Sequence, residues 1–80
     1  SRPAVQVRIE GHTDNTGSLR ANKALSLARA ETVKAYLVQR GIDQRRIQTI
    51  GHGPSRPIAD NGTEFGRGLN RRTEIVIIAK

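Results

Sequence analysis

The sequence predicts a two-layer α+β fold, a small β-sheet covered on one face by one long amphipathic helix. Three observations carry this. Residues 4–10 alternate apolar and polar side chains, as a half-buried strand does. Residues 18–40 then switch to a helical period. Residues 73–78, Thr-Glu-Ile-Val-Ile-Ile, return to a run rich in β-branched side chains. The 80 residues are enough for one small domain, and its expected extent is 1–80.

In the first strand, Ala4–Glu10, Val5, Val7 and Ile9 point to one face, and Gln6, Arg8 and Glu10 to the other. Gly11 ends it, and residues 12–17 form a loop rich in turn formers, with Asp14, Asn15 and Gly17. Ser18 is placed to cap the helix that follows. Gly41 sits where a left-handed residue closes a helix, and Ile42 can supply the accompanying apolar contact. Ile47–Ile50 is a short strand candidate closed by Gly51 and Gly53. Residues 54–68, with Pro54, Pro57, Gly62, Gly66 and Gly68, read as a long loop that contains one helical turn near residues 64–69. Three strands and one long helix are a thin inventory. One helix does not fully cover a sheet face, so a further element or a partner is expected.

Composition narrows the functional classes. Apolar residues make up 35% and aromatics 2%, so the core must be built from Leu, Ile, Val and Ala. Without cysteine there is neither a disulfide nor a thiolate metal site. No apolar run has membrane-spanning length, and no signal-like segment is present. The chain starts at Ser1 rather than Met, which fits a processed product or an excised fragment. The net charge of +7 points to anionic surroundings. A basic nucleic-acid-binding domain is the alternative that this charge supports. Against it, only Tyr36 and Phe65 could stack on bases, and the basic residues are scattered, with Arg45-Arg46 and Arg71-Arg72 as the adjacent pairs. Another polyanion, or a solvated basic surface, explains the charge as well.

The most informative residues are Gly11-His12-Thr13-Asp14 and, fifteen positions on, Arg29. At about 100° per residue with Asn22 as zero, Ser26, Arg29 and Val33 lie within about 40°, and Leu25, Tyr36 and Leu37 within about 60°. Asn22 and Arg29 therefore fall on the expected apolar stripe, where a cation is costly unless paired. A strand-end Asp14 and a helix-face Arg29 that converge would form a pocket with one negative and one positive wall, suited to a zwitterion. Simpler roles compete. Arg29 could pair with Asp14 or Glu10, Asn22 could tie the helix to the loop backbone, and Asp14 could cap its own turn. His12, His52 and Asp14 do not have the spacing of a metal-ligand set, and no metal or cofactor is expected. Gly51-His52-Gly53 is too weak a signal for a phosphate loop. The serines lack a strained glycine-flanked turn, and no acid–base pair is evident, so no catalytic residue is assigned. Asn70-Arg71-Arg72 could form a phosphate-contacting patch or a structural tie.

Taken together, Gly11-His12-Thr13-Asp14, Gly17-Ser18, Asn22, Leu25-Ser26, Arg29-Ala30, Val33, Tyr36-Leu37 and Gly41-Ile42 resemble a known pattern. So do Arg46-Ile47, Gly51, Gly53, Pro57, Asn61, Gly66-Arg67 and Asn70-Arg71-Arg72 with Glu74-Ile75. The chain resembles, from about Val5 to Ile78, the OmpA-like peptidoglycan-binding domain of outer-membrane protein A, the peptidoglycan-associated lipoprotein and flagellar stator subunits. The resemblance implies a small mixed sheet in a βαβαβ fold, here lacking the family's N-terminal strand and helix. It implies a non-enzymatic module that holds the diaminopimelate residue of the peptidoglycan stem peptide. Asp14 would take the amino group and Arg29 the carboxylate, with Asn22, Thr13 and Leu25 lining the pocket and Arg71 as a further contact. It places the domain on the periplasmic face of a Gram-negative envelope, associated with the outer membrane and tethered to it only through flanking segments. The uncovered sheet edge and helix face favour a homodimer.

Overall fold

The computed structural model describes residues 5–79; Ala4, expected to open the first strand, lies outside them. Strand β1, Gln6–Gly11, leads through the 12–18 loop into helix α1, Leu19–Gln39. A turn of 3-10 helix, Gln44–Arg46, precedes β2, Ile47–Gly51. A second helix, α2, Glu64–Asn70, and strand β3, Thr73–Ala79, complete the chain. The sheet order is β2-β1-β3, with β1 parallel to β2 and antiparallel to β3. This is the expected mixed sheet with one long helix laid on it.

Local chemistry explains the boundaries. The Ser18 hydroxyl accepts from the Ala21 amide at 3.1 Å, satisfying one of the helix's free N–H groups. At the other end Gly41 adopts φ +99°. Its amide donates to Val38 O at 3.0 Å and that of Ile42 to Leu37 O at 3.2 Å, the paired closure that a left-handed glycine permits. The helical turn expected at 64–69 is α2, capped by Thr63, whose hydroxyl accepts from Gly66 N at 3.0 Å. The 3-10 turn at 44–46 was not visible as a periodic pattern; Asp43 caps it by accepting from Arg45 N at 2.9 Å.

Ile9, Ala30 and Ile47 form the buried core, with Val7, Val33 and Leu37 packed against it. The stripe that α1 buries keeps Asn22 and Ser26 of the expected one, with Val33 and Leu37 half-buried, but not Leu25, Arg29 or Tyr36. Asn22, Ser26 and Ala30 are buried, whereas Leu25, Leu27, Tyr36 and Val38 are exposed. The cause lies in the strands. A Cβ added at Gly51 would stand 2.5 Å from Leu27 N and 2.7 Å from Lys23 O, and one at Gly11 would collide with Ser26 O. The helix backbone rests directly on two glycines, and only small side chains fit the seam.

Helix α1 lies over β1 and β2, leaving the β3 part of that face open. Ile75 and Ile77, in register with Ile9 and Val7, are 55% and 57% exposed. A cleft of about 280 Å³ opens there, lined by Val5, Val7, Leu37, Ile42, Arg46 and Ile75. As the sequence implied, one helix does not cover the sheet. No helix among the described residues is long and apolar enough to cross a membrane.

Candidate functional site

The loop after β1 is fixed by both neighbouring strands. The His12 amide donates to Arg72 O at 2.8 Å, and the Thr13 amide to Gly53 O at 2.9 Å. Gly53, at φ +58°, in turn donates to the Ser26 hydroxyl at 2.9 Å. Ser26 is fully buried, and its own hydroxyl donates to Lys23 O at 2.9 Å. Strand end, loop and helix are thus joined through Gly53.

On this frame Asp14 is held in a defined position. Its Oδ1 accepts from the Thr16 amide at 2.8 Å, so it does cap its own turn. Its Oδ2 accepts from Arg71 Nη1 at 2.7 Å. The Thr16 amide above all, and then the Arg71 guanidinium, hold the carboxyl below the usual carboxylate range against the opposing effect of burial. The site carries a fixed anion at neutral pH. Thr13 is buried, and its hydroxyl donates to Asp14 O at 2.8 Å, so it supports the loop. Asn22 Nδ2 donates to Thr16 O at 2.8 Å, which makes Asn22 the tie between α1 and the Asp14 loop.

One expectation and one competing reading need correction. Arg29 is exposed, not half-buried in an apolar stripe. The buried stripe runs Asn22-Ser26-Ala30-Val33, centred roughly 60° around the helix from Arg29. Nor does Arg29 pair with Asp14 or Glu10; the ion-pair partner of Asp14 is Arg71, and that of Glu10 on its own strand is Arg8. Arg29 has no ion-pair or hydrogen-bond partner among the described residues. Leu25, one turn before it, is 44% exposed, so the two lie on the open margin of α1.

Arg71 caps the C-terminal end of α2 and bridges two acids, Asp14 and Glu64, the latter from Nη2 at 2.6 Å. Glu64 was missed by sequence reasoning. Its spacing of seven from Arg71, two helical turns, was the available signal. Asn70 is the structural tie. Fully buried, its Oδ1 accepts from Ile58 N and Ala59 N at 2.7 and 3.0 Å, and its Nδ2 donates to Ala59 O and Asn61 Oδ1 at 3.0 and 2.8 Å. Arg72 points onto the sheet, with Nε bonded to Glu74 and Nη2 to Arg56 O at 3.0 Å. The structure therefore gathers Thr13, Asp14, Asn22 and Arg71 around one loop, whereas Leu25 and Arg29 are exposed on α1 and make no hydrogen bond to that loop among the described residues. The side chains placed to hold a metal are a separate group, Glu10, His12 and His52, without Asp14.

Comparison with known proteins bears on this arrangement. Outer membrane porin F of Pseudomonas fluorescens is 47% identical over 78 residues, 98% of this chain and 24% of its own length. Peptidoglycan-binding protein ArfA of Mycobacterium tuberculosis is 51% identical over 75 residues, 94% of this chain and 23% of its own. The crystal structure of the peptidoglycan-associated lipoprotein from Burkholderia pseudomallei superposes with a TM-score of 0.89 at 30% identity, over 92% of this chain and 63% of that one. The chain thus spans under a quarter of the two sequence relatives and under two thirds of the lipoprotein. The OmpA family model itself matches residues 1–71, from β1 through the Asp14 loop to Arg71, and with the shared fold this shows that the chain belongs to the OmpA family.

Proposed function

We propose that this chain is a non-catalytic module that binds peptidoglycan through the diaminopimelate residue of its stem peptide, and so anchors an envelope component to the wall. The observation that carries the reading is the contrast between Asp14 and Arg29. One is a carboxylate oriented by Thr16 and Arg71; the other is an exposed guanidinium with no partner among the described residues. A fixed anion suits the ammonium of an amino-acid centre. A free cation on the adjoining helix margin suits its carboxylate, through charge-assisted hydrogen bonds. Leu25 offers apolar surface to the connecting methylenes, and Arg71 is a further contact at the loop. The peptidoglycan-binding name of the ArfA relative supports the ligand class. The porin and lipoprotein relatives support a periplasmic site at the outer membrane, with attachment supplied by other segments of the parent protein.

The test is a calorimetric titration of a diaminopimelate-containing muropeptide into the parent chain, Asp14→Ala and Arg29→Ala, with a lysine-type muropeptide as control. Affinity should fall in both variants and be lower for the lysine form. Equal binding of the two muropeptides would refute the diaminopimelate assignment. Binding that instead collapses with added salt, and is shared by single-stranded DNA, would favour the nucleic-acid alternative.

A further inference from the structure

The sheet face turned away from α1 carries a second group of chemistry-bearing side chains that the proposed binding site does not use. Glu10 of β1 and Glu74 of β3 are register partners. His12 follows β1 and His52 follows β2. One donor atom from each of Glu10, His12 and His52 lies within 4.8 Å of the other two. The imidazoles stack with centroids 4.9 Å apart, His52 Nε2 is 3.0 Å from Glu10 Oε1, and His12 Nε2 is 4.0 Å from Glu74 Oε2.

The anomaly is His12. It is 1% exposed, and neither of its ring nitrogens has a hydrogen-bond partner. Buried polar atoms are almost always satisfied, and an exception calls for a cause. Here the unpartnered ring lies against a second imidazole and two carboxylates.

We propose that Glu10, His12 and His52 form a binding site for a divalent transition-metal ion, best suited to zinc, with Glu74 placed to supply a fourth donor. Two imidazoles with carboxylate oxygen match zinc's preferred ligands and suit magnesium or calcium poorly. Each carboxylate on this face is bonded by a guanidinium. Arg8 Nε donates to Glu10 Oε2 at 2.6 Å and leaves Oε1 toward His52. Arg72 Nε donates to Glu74 Oε2 at 2.5 Å, the same oxygen that lies 4.0 Å from His12 Nε2, so Glu74 would ligate by turning its carboxylate to present Oε1. Such outer hydrogen bonds orient metal-binding carboxylates. They also offset the carboxylate charge, so affinity must come from imidazole coordination rather than from general attraction of cations. Donors around a tetrahedral zinc sit roughly 3.3 Å apart, so the widest pair must close by roughly 1.5 Å, within the reach of side-chain rotation. A bound ion would join the ends of β1 and β2, through Glu74 also β3, immediately before Thr13 and Asp14.

The experiment is a titration of zinc chloride into the chelator-treated, dialysed 80-residue chain in a non-coordinating buffer, followed by calorimetry. Cobalt substitution then gives the visible absorption of the coordinated ion. His52→Gln and Glu10→Gln are the test variants, because each keeps a hydrogen-bonding group in place; Asp43→Asn, at the 3-10 turn, is the control outside both the cluster and the proposed peptidoglycan site. The expected result is one ion per chain, with affinity at least tenfold weaker in both test variants and unchanged in the control. Absence of saturable binding, a smaller loss in either test variant, or an equal loss in Asp43→Asn overturns the proposal.

Discussion

Gly51→Ala tests whether the seating of α1 on glycine governs both stability and binding. The added Cβ meets Leu27 N at 2.5 Å, Lys23 O at 2.7 Å and Leu27 Cβ at 2.8 Å, and two of these three are backbone atoms that cannot rotate away. Restoring ordinary van der Waals contact needs a displacement of roughly 0.9 Å between helix and strand, and overpacking of this kind costs about 1–3 kcal/mol. The total stability of a chain this size is only some 0.05–0.15 kcal/mol per residue, so the loss is a large share of it. The same displacement strains the bond from Gly53 N to Ser26 Oγ, and through Gly53 O the bond that fixes Thr13. Binding should therefore weaken along with stability. Gly41→Ala is the matched comparison. Nothing lies within 4 Å of its added Cβ, so only the positive φ is penalised, by about 1–2 kcal/mol, at the far end of α1. Urea denaturation followed by circular dichroism, with muropeptide affinity measured under native conditions, separates the two. A Gly51→Ala chain with stability within about 0.5 kcal/mol of the parent and unchanged affinity would refute the seating argument.

Three further outcomes are expected. Asn70→Ala removes four hydrogen bonds from a fully buried amide and leaves loop groups unsatisfied; it should cost about 2–4 kcal/mol in urea denaturation. Asp14 and Glu64 both titrate below the usual carboxylate range, Glu64 chiefly and Asp14 secondarily because of Arg71. Their lowered values contribute stability that is present above the unfolded-state carboxylate pKa and is lost as pH falls through the folded values. Arg71→Ala should therefore raise the acid-unfolding midpoint. Carboxyl carbon NMR should show Glu64 moving further than Asp14, which keeps its Thr16 bond; an unmoved Glu64 would contradict the bridge. The open Ile75 and Ile77 should support self-association that Ile77→Lys weakens, and light scattering showing a monomer at every concentration would rule this out.

Much of the fold was legible because its signals are local. Alternation at Val7 and Ile9, the Ser18 cap and the left-handed Gly41 each act within one turn or strand, and each stands where the pattern put it. The stripe of α1 was read in part, Asn22 and Ser26 rightly but Leu25, Arg29 and Tyr36 not, because Gly11 and Gly51 are distant in sequence and act through what they lack. Only in three dimensions do they bring the helix backbone onto the strand ends and favour Ser26 and Ala30 over Leu25 and Leu27. The site divides the same way. Asp14 and Asn22 were readable from the loop and the helix start, whereas the pairing of Asp14 with Arg71 spans 57 positions. The meeting of Glu10 with His52 spans 42, and no short motif marks it.

That division between a fixed anion and a free cation sets how the proposed pocket can discriminate. A lysine-type stem offers an ammonium to Asp14 but no carboxylate to Arg29, so selectivity for diaminopimelate rests on Arg29. A hydrogen bond to a charged group is worth about 1.5–3 kcal/mol. Ordering a free arginine side chain costs up to about 2 kcal/mol of rotamer freedom. With about 1.5–2 kcal/mol lost on ordering, the net contribution of Arg29 is at most about 1.5 kcal/mol, roughly tenfold in affinity. Asp14 pays no comparable ordering cost, because Thr16 and Arg71 already hold it. Asp14→Ala should therefore weaken muropeptide binding more than Arg29→Ala does. Arg29→Ala should also bring the two muropeptide types to nearly equal affinity. If Arg29→Ala were the more damaging change, the cation would have to be held in place before the ligand arrives, contrary to its exposure and lack of a partner here.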